Sequence, residues 1–169
     1  MIDLPELIAP ERVICRCEAK SKKRAIQTVA ELMALSINDE ELSEMDIMDA
    51  LVGREKIGST AIGHGVALPH ARIPDLDHAV ATLITLEKGV DFEASDEQDV
   101  DLIVGLLVPQ ECNTEHLEIL AGIAKRFSQE DFRDTVRTFK QAEDLFGYIQ
   151  SLEMQPTIPA DQSAEASKE

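Results

Sequence analysis

The chain has 169 residues, a length that suits one domain with a substantial core. It carries 33 acidic against 16 basic side chains and a formal net charge of −17, a surface that repels nucleic-acid phosphates and anionic lipid and attracts basic protein surfaces. With no tryptophan and 4% aromatic residues it also lacks the stacking groups of a nucleic-acid interface, and its strongest apolar run, 102–108, is far too short to span a membrane.

In chain order, residues 1–12 read as a lead-in, with no basic-then-apolar leader pattern, in which Pro5 and Pro10 break any helix; a cytoplasmic protein is expected. The run 12–16 is rich in β-formers and predicts a short strand. Cys15, Cys17 and Cys112 are an odd set without redox or zinc-ligand spacing, so reduced thiols are expected. Ser21 can cap a helix reaching residue 35, with Ala25, Ile26, Val29, Leu32 and Met33 at helical spacing. A second helix, capped by Asn38 or Ser43, places Met45, Met48, Leu51 and Val52 on one face and ends at Gly53 or the turn after it.

Ile62 and the run 66–68 predict two short strands around Gly63-His64-Gly65. Pro69 lacks an N–H and stops the ladder, leaving His70 at a strand end. Residues 73–77 read as a loop, 79–86 as a strand turned by Lys88-Gly89, 90–95 as a brief extended piece and 96–99 as a surface loop. The run 100–108 is almost continuously apolar and predicts a buried strand ended by Pro109. Asn113 or Thr114 then caps a helix carrying His116, Leu117, Ile119, Leu120, Ile123, Ala124 and Phe127. His116 falls in its first turn, directly after a buried strand, where α/β proteins place ligands because free helix N–H groups attract anions. Two further helices are predicted over 130–139 and 141–152. Beyond Met154 the composition shifts to Pro, Ala, Ser, Gln and acidic residues, so 1–153 is expected to fold and 154–169 to form a disordered tail.

The chemistry concentrates in 53–72, which packs four glycines, two histidines, two arginines and a Ser-Thr pair around a short apolar run. Its Gly58-Ser59-Thr60-Ala61-Ile62-Gly63 segment has neither a P-loop ending nor a dinucleotide fingerprint, and no Gly-x-Ser-x-Gly elbow. A metal site from His64, His70 and His78 with Asp75 or Asp77 is one reading, although spacings of six and eight residues are only permissive. Histidine as phosphoryl carrier is another. Imidazole is a good nucleophile at neutral pH, and the phosphoramidate it forms can pass its group onward. Arg54, Ser59, Thr60, glycine-loop N–H groups and a second imidazole such as His116 can supply the donors that such transfer needs, with no metal or nucleotide cofactor required.

The run Arg54-Glu55-x-x-Gly58-Ser59-Thr60-x-Ile62-Gly63-x-Gly65-Val66-Ala67-Leu68-Pro69-His70 closely resembles the signature of the IIA domains of the bacterial phosphotransferase system. It is similar to the mannitol/fructose class, and most to the standalone nitrogen-regulatory members; the strand ending in Pro109 and the Glu115-His116-Leu117 helix start extend the resemblance over roughly 5–150. The resemblance implies a three-layer α/β/α sandwich with a mixed central β-sheet. It implies that His70 is the phosphoryl acceptor, that Arg54 and His116 are its active-site partners, and that Ser59 and Thr60 are phosphate-binding positions. His64 takes a variable place in the glycine turn and has no catalytic role, and Arg72 is read as a surface or structural residue. The implied donor is an HPr-like phosphocarrier, itself charged from phosphoenolpyruvate through enzyme I. The sequence shows no sugar-binding membrane domain, so control of regulatory target proteins is expected over relay to a sugar-specific IIB protein. A non-phosphorylated interaction module is a further alternative, against which the presence of both His70 and Arg54 counts.

Overall fold

Residues 3–37, 40–111 and 114–152 are described by the structure, a computed structural model. The elements are α1 (Leu4–Leu7), a 3-10 turn (Pro10–Arg12), β1 (Val13–Cys17), α2 (Lys22–Ile37), α3 (Glu44–Ile57), β2 (Ala61–Gly63), β3 (Val66–Ala67), β4 (His70–Ile73), β5 (Val80–Val90), β6 (Val100–Pro109), α4 (Thr114–Phe127), α5 (Glu130–Thr138) and α6 (Ala142–Gln150). The strands form one sheet in the order β1-β5-β6-β3-β2, with β4 also paired to β6. Strands β5 and β6 are antiparallel, β1 runs parallel to β5, and β3 and β4 both run parallel to β6.

Alternation along the central strands divides the core between two faces. On β6, Leu102, Val104, Leu106 and Val108 point to the side covered by Leu4 and Leu7 of α1, Ile119 and Ile123 of α4, Val136 of α5 and Leu145 of α6. Ile103 and Leu107 point the other way, onto Ile26, Val29 and Met33 of α2 and Ile47 and Leu51 of α3. The expected three-layer α/β/α sandwich with a mixed sheet is therefore the observed fold. No helix among the described residues is long and apolar enough to cross a membrane.

Several local expectations are corrected. Pro5 does not prevent a short helix, because it occupies the first turn of α1, where its missing N–H is not needed, and Asp3 caps the end by accepting from Leu4 N at 2.7 Å. Helix α3 is capped by Ser43 in a reciprocal capping box with Asp46. It runs through Gly53 to Ile57 and buries Ile47, Leu51 and Glu55, one stripe at spacing four, so the charged Glu55 rather than Met45 belongs to its inner face. Met45 is 67% exposed. Lys88-Gly89 does not turn the chain: β5 continues to Val90, which pairs with Val100 after a register irregularity. A Cβ on Gly89 would lie 2.9 Å from Asp99 Cβ, so this glycine serves close strand approach. His70–Ile73 form β4, so the strand runs on past His70 and takes in Ile73, where the sequence predicts the start of a loop. Cys15 and Cys17 are free, half-buried thiols. Asn38, Cys112, Asn113 and the tail from 154 lie outside the described residues.

Gly105 lets α2 settle onto the sheet. It pairs with Thr82, and a Cβ there would clash with Val29 Cγ1 and stand 2.7 Å from Thr82 Oγ1. Gly105→Ala is expected to lower the unfolding free energy by about 1–3 kcal/mol, the usual cost of overpacking. Urea denaturation checks this, and an unchanged midpoint would contradict so close an approach.

Candidate functional site

The site grows from a break in one edge of the sheet. Strand β3 pairs Val66 with Leu102 and Ala67 with Ile103; β4 pairs His70 with Leu106 and Ala71 with Leu107. Both segments follow the same edge of β6 in the same register, interrupted only at Leu68 and Pro69. Pro69 cannot donate, but its carbonyl still accepts from Leu106 N at 3.0 Å. Leu68 turns away and donates its N–H to Thr60 O at 3.0 Å, in the β2 hairpin arm. That leaves the Leu68 carbonyl within 2.7 Å of His70 Nδ1. A carbonyl can only accept, so Nδ1 carries the hydrogen and Nε2 keeps the lone pair.

Burial, and to a lesser degree the Arg54 charge, push the His70 imidazole below the ordinary histidine range, while the Leu68 hydrogen bond and Glu55 pull in the opposite direction. The ring is therefore neutral at pH 7. Alternation on β4 sends Ala71 and Ile73 into the core beneath α2 and α3 and turns His70 and Arg72 to the α4 side. There the rings of His70 and His116 meet, with centroids 5.4 Å apart at 51°. His116, in the first turn of α4, is only 6% exposed, and its Nδ1 has no hydrogen-bond partner among the described residues. Burial holds its ionisation low, reinforced by the unfavourable placing of a second proton beside His70 and by the Arg72 and Arg54 charges.

Arg54 comes from the last turn of α3, and its Nη1 donates to Gly58 O at 2.9 Å. The structure thus brings together His70, His116 and Arg54 from three separate elements. It adds Arg72, which the sequence reading set aside. The missed signal was simple: once His70 begins a strand, position 72 must share its face.

Ser59 and Thr60 lie in the adjoining corner, but their hydroxyl protons are already used. Ser59 Oγ donates to Phe92 O at 2.6 Å, and Thr60 Oγ1 donates to Glu55 Oε2 at 2.7 Å. In this structure both hydroxyls therefore brace the corner. His64 is an exposed hairpin residue at φ 58, its N–H donated to Asp96 Oδ2 at 2.9 Å. His78 is exposed and borders a cavity of about 100 Å³ shared with Asp77, Glu115 and His116. No group of three or more His, Cys, Asp or Glu side chains among the described residues could hold a metal ion, which leaves the His64, His70 and His78 reading without a ligand cluster.

Fold and site together define an α/β/α domain that presents a neutral imidazole, its Nε2 unprotonated, among fixed positive charges at a sheet edge. The chain belongs to the family described as phosphoenolpyruvate-dependent sugar phosphotransferase system, EIIA 2, whose model matches residues 6–152. It is 38% identical over 152 residues to a nitrogen regulatory protein of Pseudomonas aeruginosa, covering 88% of this chain and 96% of that one. It is 34% identical over 156 residues to one from Escherichia coli, covering 92% and 94%. Among solved structures, the nitrogen regulatory protein IIA-Ntr of Neisseria meningitidis superposes with a TM-score of 0.79 at 34% identity, over 86% of this chain and 97% of that one. The IIA mannitol structure of Escherichia coli shares the fold, at a TM-score of 0.68 and 18% identity over 83% and 97%.

Because folding disfavours the protonated form of both imidazoles, the unfolded chain binds more protons as pH falls through the ordinary histidine range. Their contribution to stability is present above a pH of about 6.5 and is lost as pH falls towards the folded values. NMR titration of the ring protons is expected to place both midpoints below about 6.5. A midpoint at or above that value for His70 would contradict the buried, positively flanked setting.

Proposed function

We propose that this protein is a phosphoryl carrier with a regulatory role, accepting a phosphoryl group on Nε2 of His70 from an HPr-like phosphocarrier and controlling partner proteins by its phosphorylation state. The observation that carries the reading is the hydrogen bond from His70 Nδ1 to Leu68 O, which leaves Nε2 as the nucleophilic nitrogen. The Nε2 lone pair attacks phosphorus in line. As the P–Nε2 bond forms, the donor's P–N bond breaks, and the donor imidazole leaves with that electron pair and takes up a proton. The ring of His70 becomes cationic as it gains the phosphoryl group, and the Leu68 carbonyl stabilises that charge through Nδ1–H.

Positioning and charge stabilisation dominate such transfers. Arg54 and His116 are assigned to the equatorial oxygens, with Arg72 adding positive field from β4. Ser59 and Thr60 are assigned to holding the corner in place of direct phosphate binding. The family membership supports phosphocarrier and IIB-type partners in general, and the nitrogen regulatory relatives support regulation as the output. Phosphorylation adds nearly two negative charges to a chain that is already strongly acidic, which repels acidic and recruits basic partners.

Incubation with phosphoenolpyruvate, enzyme I and an HPr-like donor, followed by intact-mass measurement, tests the proposal. One acid-labile phosphoryl group is expected, absent in His70→Ala. Its acquisition is expected to slow about 10²–10³-fold in Arg54→Ala, the usual cost of losing one donor to developing charge. No mass shift with a competent donor would overturn the reading.

A further inference from the structure

Glu55 is an oddity in this chain: a carboxylate 9% exposed on the inner stripe of α3, one residue after Arg54. A buried carboxylate persists only when it is paired and hydrogen-bonded, and this one is fully engaged. Its Oε1 accepts from Thr60 N at 2.9 Å and pairs with Lys22 Nζ at 2.9 Å, while Oε2 accepts from Thr60 Oγ1 at 2.7 Å. Both donors of Thr60 are thus clamped to one side chain across the corner between α3 and β2.

Two lines of contact leave that clamp, and each ends in the site. The first is short. Fixing Thr60 fixes the segment before it, including Gly58, whose carbonyl accepts from Arg54 Nη1 at 2.9 Å. The second passes through the backbone. Thr60 O accepts from Leu68 N at 3.0 Å, and Leu68 O in turn accepts from His70 Nδ1 at 2.7 Å. Lys22 anchors the clamp to α2 and to the segment after β5, where it pairs with Glu93 at 3.5 Å and lies 5.3 Å from the centre of the Phe92 ring.

We infer that Glu55 is the positioning residue of the site, holding the guanidinium of Arg54 and the tautomer-setting carbonyl of Leu68 in register through its grip on Thr60. It touches no reacting atom. The inference rests on the phosphoryl-carrier reading for its rate measurement and is independent of it for its spectroscopic one. The charged groups that bear on His70 are Arg54 and Glu55 from α3; Arg72 from β4 bears on His116 of α4, whose ring packs against His70. Glu55 is the anion among them, so neutralising it removes an influence that favours the imidazolium.

The test uses the full chain with Glu55→Gln, which keeps the shape and one acceptor, and with Thr60→Val, which leaves the carboxylate paired to Lys22 but removes the hydroxyl. Single-turnover phosphorylation at saturating donor is expected to fall about 10–100-fold in Glu55→Gln, the scale of lost supporting hydrogen bonds, with donor KM unchanged. Thr60→Val is expected to fall less, and Thr60→Ser to retain the wild-type rate. The NMR titration midpoint of His70 is expected to move further down in Glu55→Gln, with loss of its single Nδ1–H tautomer. A folded Glu55→Gln with wild-type rate, midpoint and tautomer would overturn the inference. Should Glu55→Gln fail to fold, wild-type rate and tautomer in Thr60→Val would overturn it as well. Failure of the carrier reading is separate: wild-type protein would then take no phosphoryl group, and the titration and tautomer of His70 would still decide the role of Glu55.

Discussion

The hydrogen bond between His70 Nδ1 and the Leu68 carbonyl is the constraint on which the site depends, and it exists because an edge strand is broken at one place. Strands β3 and β4 share a register on β6; between them Pro69 keeps only its carbonyl bond to Leu106 N, and Leu68 bonds to the β2 side. Pro69 cannot pair as a donor, so the break costs no ladder hydrogen bond from its nitrogen, and Leu68 is free to bond sideways to the β2 arm. The Leu68 carbonyl is thereby presented to the imidazole two residues on. The backbone chooses the tautomer, and with it the nitrogen that can react.

Charge placement follows the layers of the sandwich. His70 stands on β4, whose outer edge bears no further strand among the described residues, which suits the proposed approach of a protein donor. Each neighbouring layer contributes one group: α3 its last turn with Arg54, α4 its first turn with His116, and β4 itself Arg72 on the face shared with His70. Burial keeps both imidazoles neutral when the site is empty of added charge, and the cationic surroundings suit a phosphoryl group once it arrives. The site therefore suits the proposed anion, on a chain whose overall charge is strongly negative.

Much of this was legible from residues alone, where one period dominated. The apolar run of β6, the amphipathic pattern of α4 and the glycine hairpin between β2 and β3 each have a single reading, and they put His70 at a strand end and His116 at a helix start. What misled was competition between local signals. Gly53 reads as a helix stop, yet the burial of Leu51 and Glu55 carries α3 past it and puts Arg54 on a helix. Lys88-Gly89 reads as a turn, yet cross-strand pairing extends β5 through it. Strand β4 is short and half-polar, so it was hidden, and Arg72 with it. Ser59 and Thr60 were singled out at the right corner, but only the structure shows that their hydroxyls face Phe92 and Glu55. Pairing of a buried carboxylate with residues 22 and 60 has no periodic signature to read.

The measurement closest to the central claim is the position of the phosphoryl group on the ring. With ¹⁵N-labelled histidine, the coupling between phosphorus and ring nitrogen distinguishes the two nitrogens of His70 after phosphorylation by the carrier protein. Bonding through Nε2, with Nδ1 still protonated towards Leu68, is the expected result. A phosphoryl group on Nδ1, or on any residue other than His70, would contradict it.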